Sequence, residues 1–389
     1  MLRVAHTITR MIGGPSYRTI SLMKYTNPEL FEQKFYYGSV MNWDPGEQSY
    51  LFDDFPIETV YIPEMQRNIN PKKDMIALIK FIKEFRKFKP HIVHTHQSKD
   101  GFLARTAAIL TGVPIILRSF HGITYTDNYY GKKTPYVVPV FVTIEKALAT
   151  FTSGVLPTSE ILSDELVNKH KIAPKEKSFV IYDMLELEPY LTSKKNKKLA
   201  EELNIDSDSL IITVVANFIP PKDHDNILEA FKIFLSKHHD LKPHLVLVGT
   251  GPLEEQARQK TKSLELEDNV HFLGHRKDVA QLYASSDVGM LGSFIEGNPA
   301  SLIEAVASGI HVVATDVGGM RDTLKNGEWG TLAPPKNPVA LAEAIEKELE
   351  TERDFEKVRS EIEKMHDVKY AVKRVEDLYL KLAKEKGLI

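Results

Sequence analysis

The 389-residue chain contains no cysteine. That absence excludes disulfides, thiolate metal sites and a catalytic thiol, and it makes a reducing compartment the expectation. No apolar stretch approaches the roughly 18 residues that a membrane-spanning helix needs. The opening residues MLRVAHTITR run straight into a strand-like pattern, without the apolar segment and small-residue cleavage site of a signal peptide. A cytoplasmic protein is expected. Basic charge is not in surplus either: 50 Lys+Arg stand against 53 Asp+Glu, a net charge of −3, which gives no electrostatic ground for a nucleic-acid partner.

What the chain does contain is the composition of a folded protein, 42% hydrophobic and 26% charged, at a length that suggests two domains. Short β-branched runs alternate with longer amphipathic segments. Strands are expected at 2–9, 35–40, 57–62, 91–95, 114–119, 154–157 and 178–182, with helices at about 72–88, 100–111, 135–152 and 159–169. A second series runs through 209–217, 243–249, 269–274, 287–291, 311–315 and 329–333. Such alternation implies βα units and parallel sheets covered by helices on both faces. The fold class is therefore α/β, two Rossmann-like domains whose sheets would face a central cleft. The polar, Lys-rich stretch 184–200 reads as the linker, giving an N-terminal domain at 1–186 and a second at 187–370. Residues 371–389 form a final helix that either trails into solvent or packs back on the first domain.

Ligands of open α/β sheets bind beyond the carboxyl ends of the strands, so the loops there carry the chemistry. The most informative is GSFIEGNPASLIEAVASGIHVVATDVGG, residues 292–319. Glu296 precedes a helix and Glu304 lies inside it. Gly297, Asn298, Pro299 and Ala300 mark the turn, where free backbone N–H groups suit a phosphate. A diphosphate fits there, with Glu304 within reach of a ribose diol and Glu296 placed for the hydroxyls of a sugar. Two arbitrary glutamates would more often be a dipole partner and a solvated surface residue.

The spacing of these glutamates, followed by ASGIHVVATDVGG, resembles the E-x7-E signature of retaining glycosyltransferase family four, whose members have the two-domain glycosyltransferase-B fold. Further blocks match in order: TRMIGGPSYRT (9–19), HIVHTHQSKDGFLARTAAILTGVPIILRSFHG (91–122), residues 144–160, VANFIPPKDHDNILEAF (215–231), LVLVGTGPLEEQ (245–256) and residues 269–293. Together they cover most of the chain. The resemblance implies transfer of a hexose or N-acetylhexosamine from a nucleotide sugar, with UDP the expected nucleotide, to a glycan, lipid-linked or small-molecule acceptor. It also implies retention of anomeric configuration by a front-face route. A nucleotide-sugar epimerase of the same fold is the alternative.

In the family's pattern Lys222 neutralises the phosphates of donor and leaving group. The arginine usually paired with it is replaced here by Asn217, which removes one positive charge. Gly249 and Gly251 permit close backbone approach beside a strand end, or serve only a turn. His275 and Arg276, after Gly274, lie where the family holds the nucleotide base. In the first half, Gly13 and Gly14 are candidates for close approach to diphosphate or acceptor. His121 resembles the histidine that contacts the donor sugar and the reaction centre.

His94 and His96 share one strand face, where a metal is conceivable. Lacking a third ligand nearby in sequence, they read as one structural histidine and one, His96, lining the acceptor side. Lys99 and Arg105 are either acceptor contacts or solvated. No acidic D-x-D stands at a strand end, so neither metal nor cofactor is expected and charge neutralisation falls to Lys222 and the helix start near Gly297. Residues 71–90 combine an apolar stripe (Met75, Ile76, Ile79, Ile82, Phe85) with Lys72, Lys73, Lys80, Lys83, Arg86 and Lys87. They suit either peripheral contact with an anionic bilayer or an ordinary sheet-packed helix.

Overall fold

The computed structural model describes residues 1–40, 55, 57–121, 134–296 and 299–389. They form two compact units, one of Met1–Leu185 with Val368–Ile389 and one of Glu186–Asp367.

The first unit comprises β1 (Leu2–Ile8), α1 (Gly13–Tyr25), β2 (Phe31–Gly38), β3 (Glu58–Ile62), α2 (Pro71–Phe88), β4 (Ile92–Thr95), α3 (Ser98–Leu110), β5 (Ile115–Phe120), α4 (Thr134–Ala149), β6 (Gly154–Pro157) and α5 (Glu160–Asp164). Its six strands pair in parallel in the order β3-β2-β1-β4-β5-β6. Alternate residues of each strand serve opposite faces. Ala5, Val93 and Ile116 pack with Phe81, Phe85 and Leu103 of α2 and α3. Val4, Ile92 and Leu117 pack on the other side with Val372, Val375 and Tyr379 of the chain's last helix. Continuous apolar strands are what a sheet buried on both faces demands.

Two segments differ from the sequence expectation. Residues 178–182 do not form a strand: Phe179 and Ile181 donate to the Val155 and Pro157 carbonyls, both at 2.9 Å, but only Ser178 makes a bridge beside β6. Apolar alternation at 179 and 181 supplied the strand pattern without a full ladder. The segment 184–200 is not a plain linker. Met184, Leu185, Leu187, Leu199 and Ala200 are buried, because the apolar residues spaced through the lysines join the cores: Met184 packs in the cluster of Val4, Ile92 and Leu117, and Leu199 and Ala200 in that of Ile211, Val246 and Val248.

The second unit contains α6 (Glu188–Thr192), α7 (Lys198–Leu203), β7 (Ile211–Val215), α8 (His224–Lys237), β8 (His244–Val248), α9 (Glu254–Ser263), β9 (Val270–Gly274), α10 (Val279–Ala284), β10 (Val288–Leu291), α11 (Ala300–Ala307), β11 (His311–Thr315), α12 (Met320–Thr323), β12 (Thr331–Ala333), α13 (Pro338–Glu350) and α14 (Phe355–His366). Its strands run β12-β11-β10-β7-β8-β9, all parallel. Read from the far edge, this is the first sheet's order repeated. In each, the chain reverses its direction of travel at the first strand, and the loops after the strands flanking that point are the expected ligand position. The helix α15 (Val368–Glu385) belongs to the first unit. Among the described residues no helix is long and apolar enough to cross a membrane.

Candidate active site

In the second unit, β7 and β10 are neighbours, and the loops that follow them meet. Phe294 N–H donates to the Pro221 carbonyl at 2.9 Å. This tie brings Lys222 and Glu296 together: the ammonium bonds the carboxylate directly, and Ser293 Oγ donates to the same oxygen at 3.3 Å. Both side chains are largely buried, at 19% and 16% exposure. Gly318, in the left-handed region at φ +49°, lies so close that a Cβ there would meet the Glu296 carbonyl oxygen at 1.8 Å. Only glycine leaves the backbone of Glu296 where it is.

Glu304 stands on α11, whose first residue is Ala300 and whose N-cap is Pro299. Burial pushes its carboxyl up to about 7, and a hydrogen bond from Tyr190 of α6 pulls it back. Desolvation of a carboxylate in apolar surroundings works in that direction. Gly297 and Asn298 lie outside the described residues.

Asn217 is exposed. Gly249 and Gly251 pack against the backbone of the β7 loop: added Cβ atoms would meet the Ala216 and Phe218 carbonyl oxygens at 2.2 and 2.5 Å. Their role in the fold is thus to let two strand-end loops touch. His275 is exposed. Arg276 bonds Asp278 and Glu202, at 2.6 and 2.5 Å.

In the first unit, Gly13 and Gly14 open α1. The histidines form a chain. His121 Nε2 lies 3.4 Å from His96 Nδ1, and His96 Nε2 lies 3.3 Å from His6 Nδ1. Burial holds all three imidazoles neutral, His6 at about 3 and the others well below the ordinary histidine value. His94 stands beside them with both nitrogens engaged, 2.6 Å from the Tyr379 hydroxyl and 2.7 Å from Ser119 Oγ. His6, His94 and His96 offer ring nitrogens within 4.8 Å of one another, so the third ligand candidate missing from the sequence neighbourhood is supplied by β1. Of their nitrogens, both of His94, His6 Nδ1 and His96 Nε2 make hydrogen bonds, whereas His6 Nε2 makes none among the described residues. His96 and His121 line a hollow with Arg18, Ser119, Thr158 and Asp183.

Lys99 pairs with Asp74 at 2.7 Å. Arg105 is corrected more sharply. It is fully buried, donating to the Gly101 carbonyl and to Glu145, and so presents no charge to an acceptor; its position on α3 facing α4 decides this.

Sequence reasoning missed four groups. His6 pairs in register with His94 across β1 and β4; placing those strands side by side would have found it. Asp100 accepts from Thr7, Thr9, His96 N and Gln97 N at 3.0, 2.8, 2.9 and 2.9 Å, tying the β1 and β4 loops. Arg18 bonds Asp183, and Tyr190 bonds Glu304; neither pairing has a local signal.

Two family models match the chain. Residues 42–188 match "Glycosyltransferase Family 4" and residues 195–369 match "Glycosyl transferases group 1". The Escherichia coli UDP-Gal:alpha-D-GlcNAc-diphosphoundecaprenol alpha-1,3-galactosyltransferase is 28% identical over 275 residues, 70% of each chain. The Staphylococcus aureus capsular polysaccharide biosynthesis glycosyltransferase CapM is 26% identical over 338 residues, 84% of this chain and 86% of its own. Among solved structures, a glycosyltransferase from Rickettsia africae superposes with a TM-score of 0.80 at 19% identity, covering 98% of this chain and 99% of that one. Anabaena Alr3699/HepE in complex with UDP gives 0.78 at 18%, covering 98% and 100%. These structural likenesses establish the glycosyltransferase-B fold. The epimerase alternative finds no support among them. With both models falling in order along one chain, on two repeats of the same sheet, the protein belongs to glycosyltransferase family four and is a transferase.

Proposed function

We propose that the protein is a retaining, metal-independent transferase that moves a hexose or N-acetylhexosamine from a UDP-sugar to a hydroxyl of a glycan or lipid-linked acceptor. The observation that carries the reading is the Lys222–Glu296 pair at the carboxyl ends of β7 and β10. In the free protein each group neutralises the other. A diphosphate competes for the ammonium, and the carboxylate so released is left to accept hydrogen bonds from sugar hydroxyls. Glu304 takes the ribose diol. Lys222 stabilises charge on the departing phosphate, an interaction that grows toward the transition state. Glu296, drawn to a lysine, serves as a sugar-binding group rather than as a covalent nucleophile. His121 contacts the reacting sugar, as the family pattern implies. The names of the E. coli relative and the UDP-bound Anabaena structure support a UDP-sugar donor and a lipid-linked acceptor.

The test is a thermal melt with UDP-glucose, UDP-galactose and UDP-N-acetylglucosamine, followed by UDP release with and without lipid-linked acceptors after exhaustive chelation. One donor should raise the melting temperature, and acceptor should accelerate release without added metal. Acceptor-independent release, or activity restored only by magnesium or manganese, overturns the corresponding part of the reading. An inverted product anomer by NMR removes retention.

Peripheral membrane contact is proposed through residues 71–90. Helix α2 turns Ala77, Phe81 and Phe85 inward and leaves Met75, Ile76 and Ile79 at 56%, 45% and 44% exposure. Apolar side chains bordered by lysines suit an anionic interface.

A further inference from the structure

The ends of β7, β10, β11 and β12 are tied together. Phe294 N–H donates to the Pro221 carbonyl at 2.9 Å, Thr315 Oγ1 donates to the Ser293 carbonyl, and Asp316 N–H donates to the Ala333 carbonyl at 2.7 Å. The cations that follow these strands are Lys222, Arg321 and Lys336. Lys222 is held by Glu296, and Arg321 by Asp316 at 2.8 Å. Lys336 is exposed and makes no ion pair among the described residues; its ammonium rests on the ring of Phe294, 4.3 Å from the centroid. The same Phe294 is bonded through its backbone to Pro221, the residue before Lys222. Burial raises the Asp223 carboxyl, and the Lys336 charge opposes that rise, so Lys336 also stands in electrostatic reach of the residue after Lys222.

The backbone points the same way. Lys336 has φ +55°, a left-handed conformation that glycine adopts freely and a residue with a Cβ does not. Lys89 and Asn204, at φ +50° and +54°, end α2 and α7. Lys336 ends no helix: it lies in the turn between β12 and α13. Strain outside a routine cap points to function, and here it holds an ammonium over the strand ends.

We propose that Lys336 is a phosphate-binding residue: when a nucleotide diphosphate enters, its ammonium leaves the Phe294 ring and binds beside Lys222, supplying the positive charge that Asn217 lacks. The inference rests on the nucleotide-sugar reading for its ligand and adds a residue to that site. An exposed cation–π contact is weaker than a charge-assisted hydrogen bond to phosphate, so the move is favourable. A diphosphate that draws Lys222 from Glu296 also meets the released carboxylate, and a second ammonium offsets that repulsion.

Calorimetry of the full-length protein with UDP, and ligand-detected NMR with uridine, which has no phosphate, test the assignment. Lys336→Met keeps an apolar stem against Phe294 and should weaken UDP about tenfold or more, the scale of one charge-assisted hydrogen bond, while uridine binds as before. The salt dependence of UDP binding should become shallower. Lys336→Arg should recover most of the loss, and so should Asn217→Arg added to Lys336→Met, which returns the charge from the neighbouring loop. A folded Lys336→Met that binds UDP as the wild type does, or that weakens UDP and uridine alike, overturns the proposal and leaves the nucleotide-sugar reading standing. A double variant as weak as Lys336→Met overturns the exchange of charge between positions 336 and 217. Wild-type protein that binds UDP no more tightly than uridine overturns the proposal together with the reading on which it rests.

Discussion

Lys222 and Glu296, 74 positions apart in sequence, are bonded to each other. Replacing Lys222 with alanine removes both a phosphate partner and the counter-charge of Glu296. Turnover should fall about 10²–10³-fold, the scale for losing one preorganised electrostatic contact. Glu296→Gln, which keeps the shape and loses the charge, should weaken binding of the sugar part of the donor while UDP alone, freed of its competitor for the ammonium, binds at least as well as before. Steady-state kinetics with calorimetry on UDP and UDP-sugar separates these effects; equal losses for both ligands would deny Glu296 its place at the sugar.

Glu304 supplies a pH test. Its folded value of about 7 is above the ordinary carboxylate value. The folded state therefore holds a proton that the unfolded chain gives up near pH 4.5. Stability attributable to this group falls as pH rises from that value to 7. Glu304→Gln should flatten that part of the melting curve against pH. UDP affinity should move the opposite way, rising through pH 7 as the carboxylate forms to accept the ribose hydroxyls. A Glu304→Gln variant with the same rise would assign it elsewhere.

Arg105 and Glu145 test the correction made to the acceptor candidates. Their side chains are 1% and 7% exposed, and removing one partner of a buried pair costs about 3–5 kcal/mol. Arg105→Met should lower the unfolding free energy from denaturant titration by that amount. Lys325→Met, breaking a pair with Glu361 at 35% and 32% exposure, should cost no more than about 1 kcal/mol. An Arg105→Met variant of unchanged stability and impaired acceptor binding would reinstate the earlier assignment.

Gly318 and Gly274 distinguish collision from strain. Both have positive φ, +49° and +63°, but an added Cβ at Gly274 meets nothing within 4 Å. Gly274→Ala should cost about 1–2 kcal/mol of stability and little activity. Gly318→Ala must displace the Glu296 carbonyl, so its loss of turnover should exceed what its stability change explains. Parallel melts and rate measurements on the two variants check this.

Much of the architecture was legible because parallel sheets buried on both faces write themselves as short apolar runs, and β1, β4, β7 and β10 could be placed that way. Strand-end position likewise pointed to Lys222, Glu296 and His121. What sequence could not show was which charges neutralise one another. Arg105 looked available because nothing local signals that α4 brings Glu145 against it. The stripe of α2 was counted as one surface, yet helical geometry divides it, sending Phe85 inward and Met75, Ile76 and Ile79 outward. His6 was overlooked because strands adjacent in the sheet are nearly ninety positions apart in the chain.

The first sheet is completed by α15, whose Val372, Val375 and Tyr379 fill its core after the whole second unit has been written into the chain. Synthesis from the ribosome therefore finishes the second unit before the first can close, reversing the usual N-to-C sequence of domain maturation. Until Val368–Glu385 emerges, the apolar face of β1, β4 and β5 keeps only the cover of Leu22, Ile181 and Met184, with His94 lacking Tyr379. Nascent first-unit chains should be sensitive to protease and to chaperone supply until Val368–Glu385 has been made and has docked.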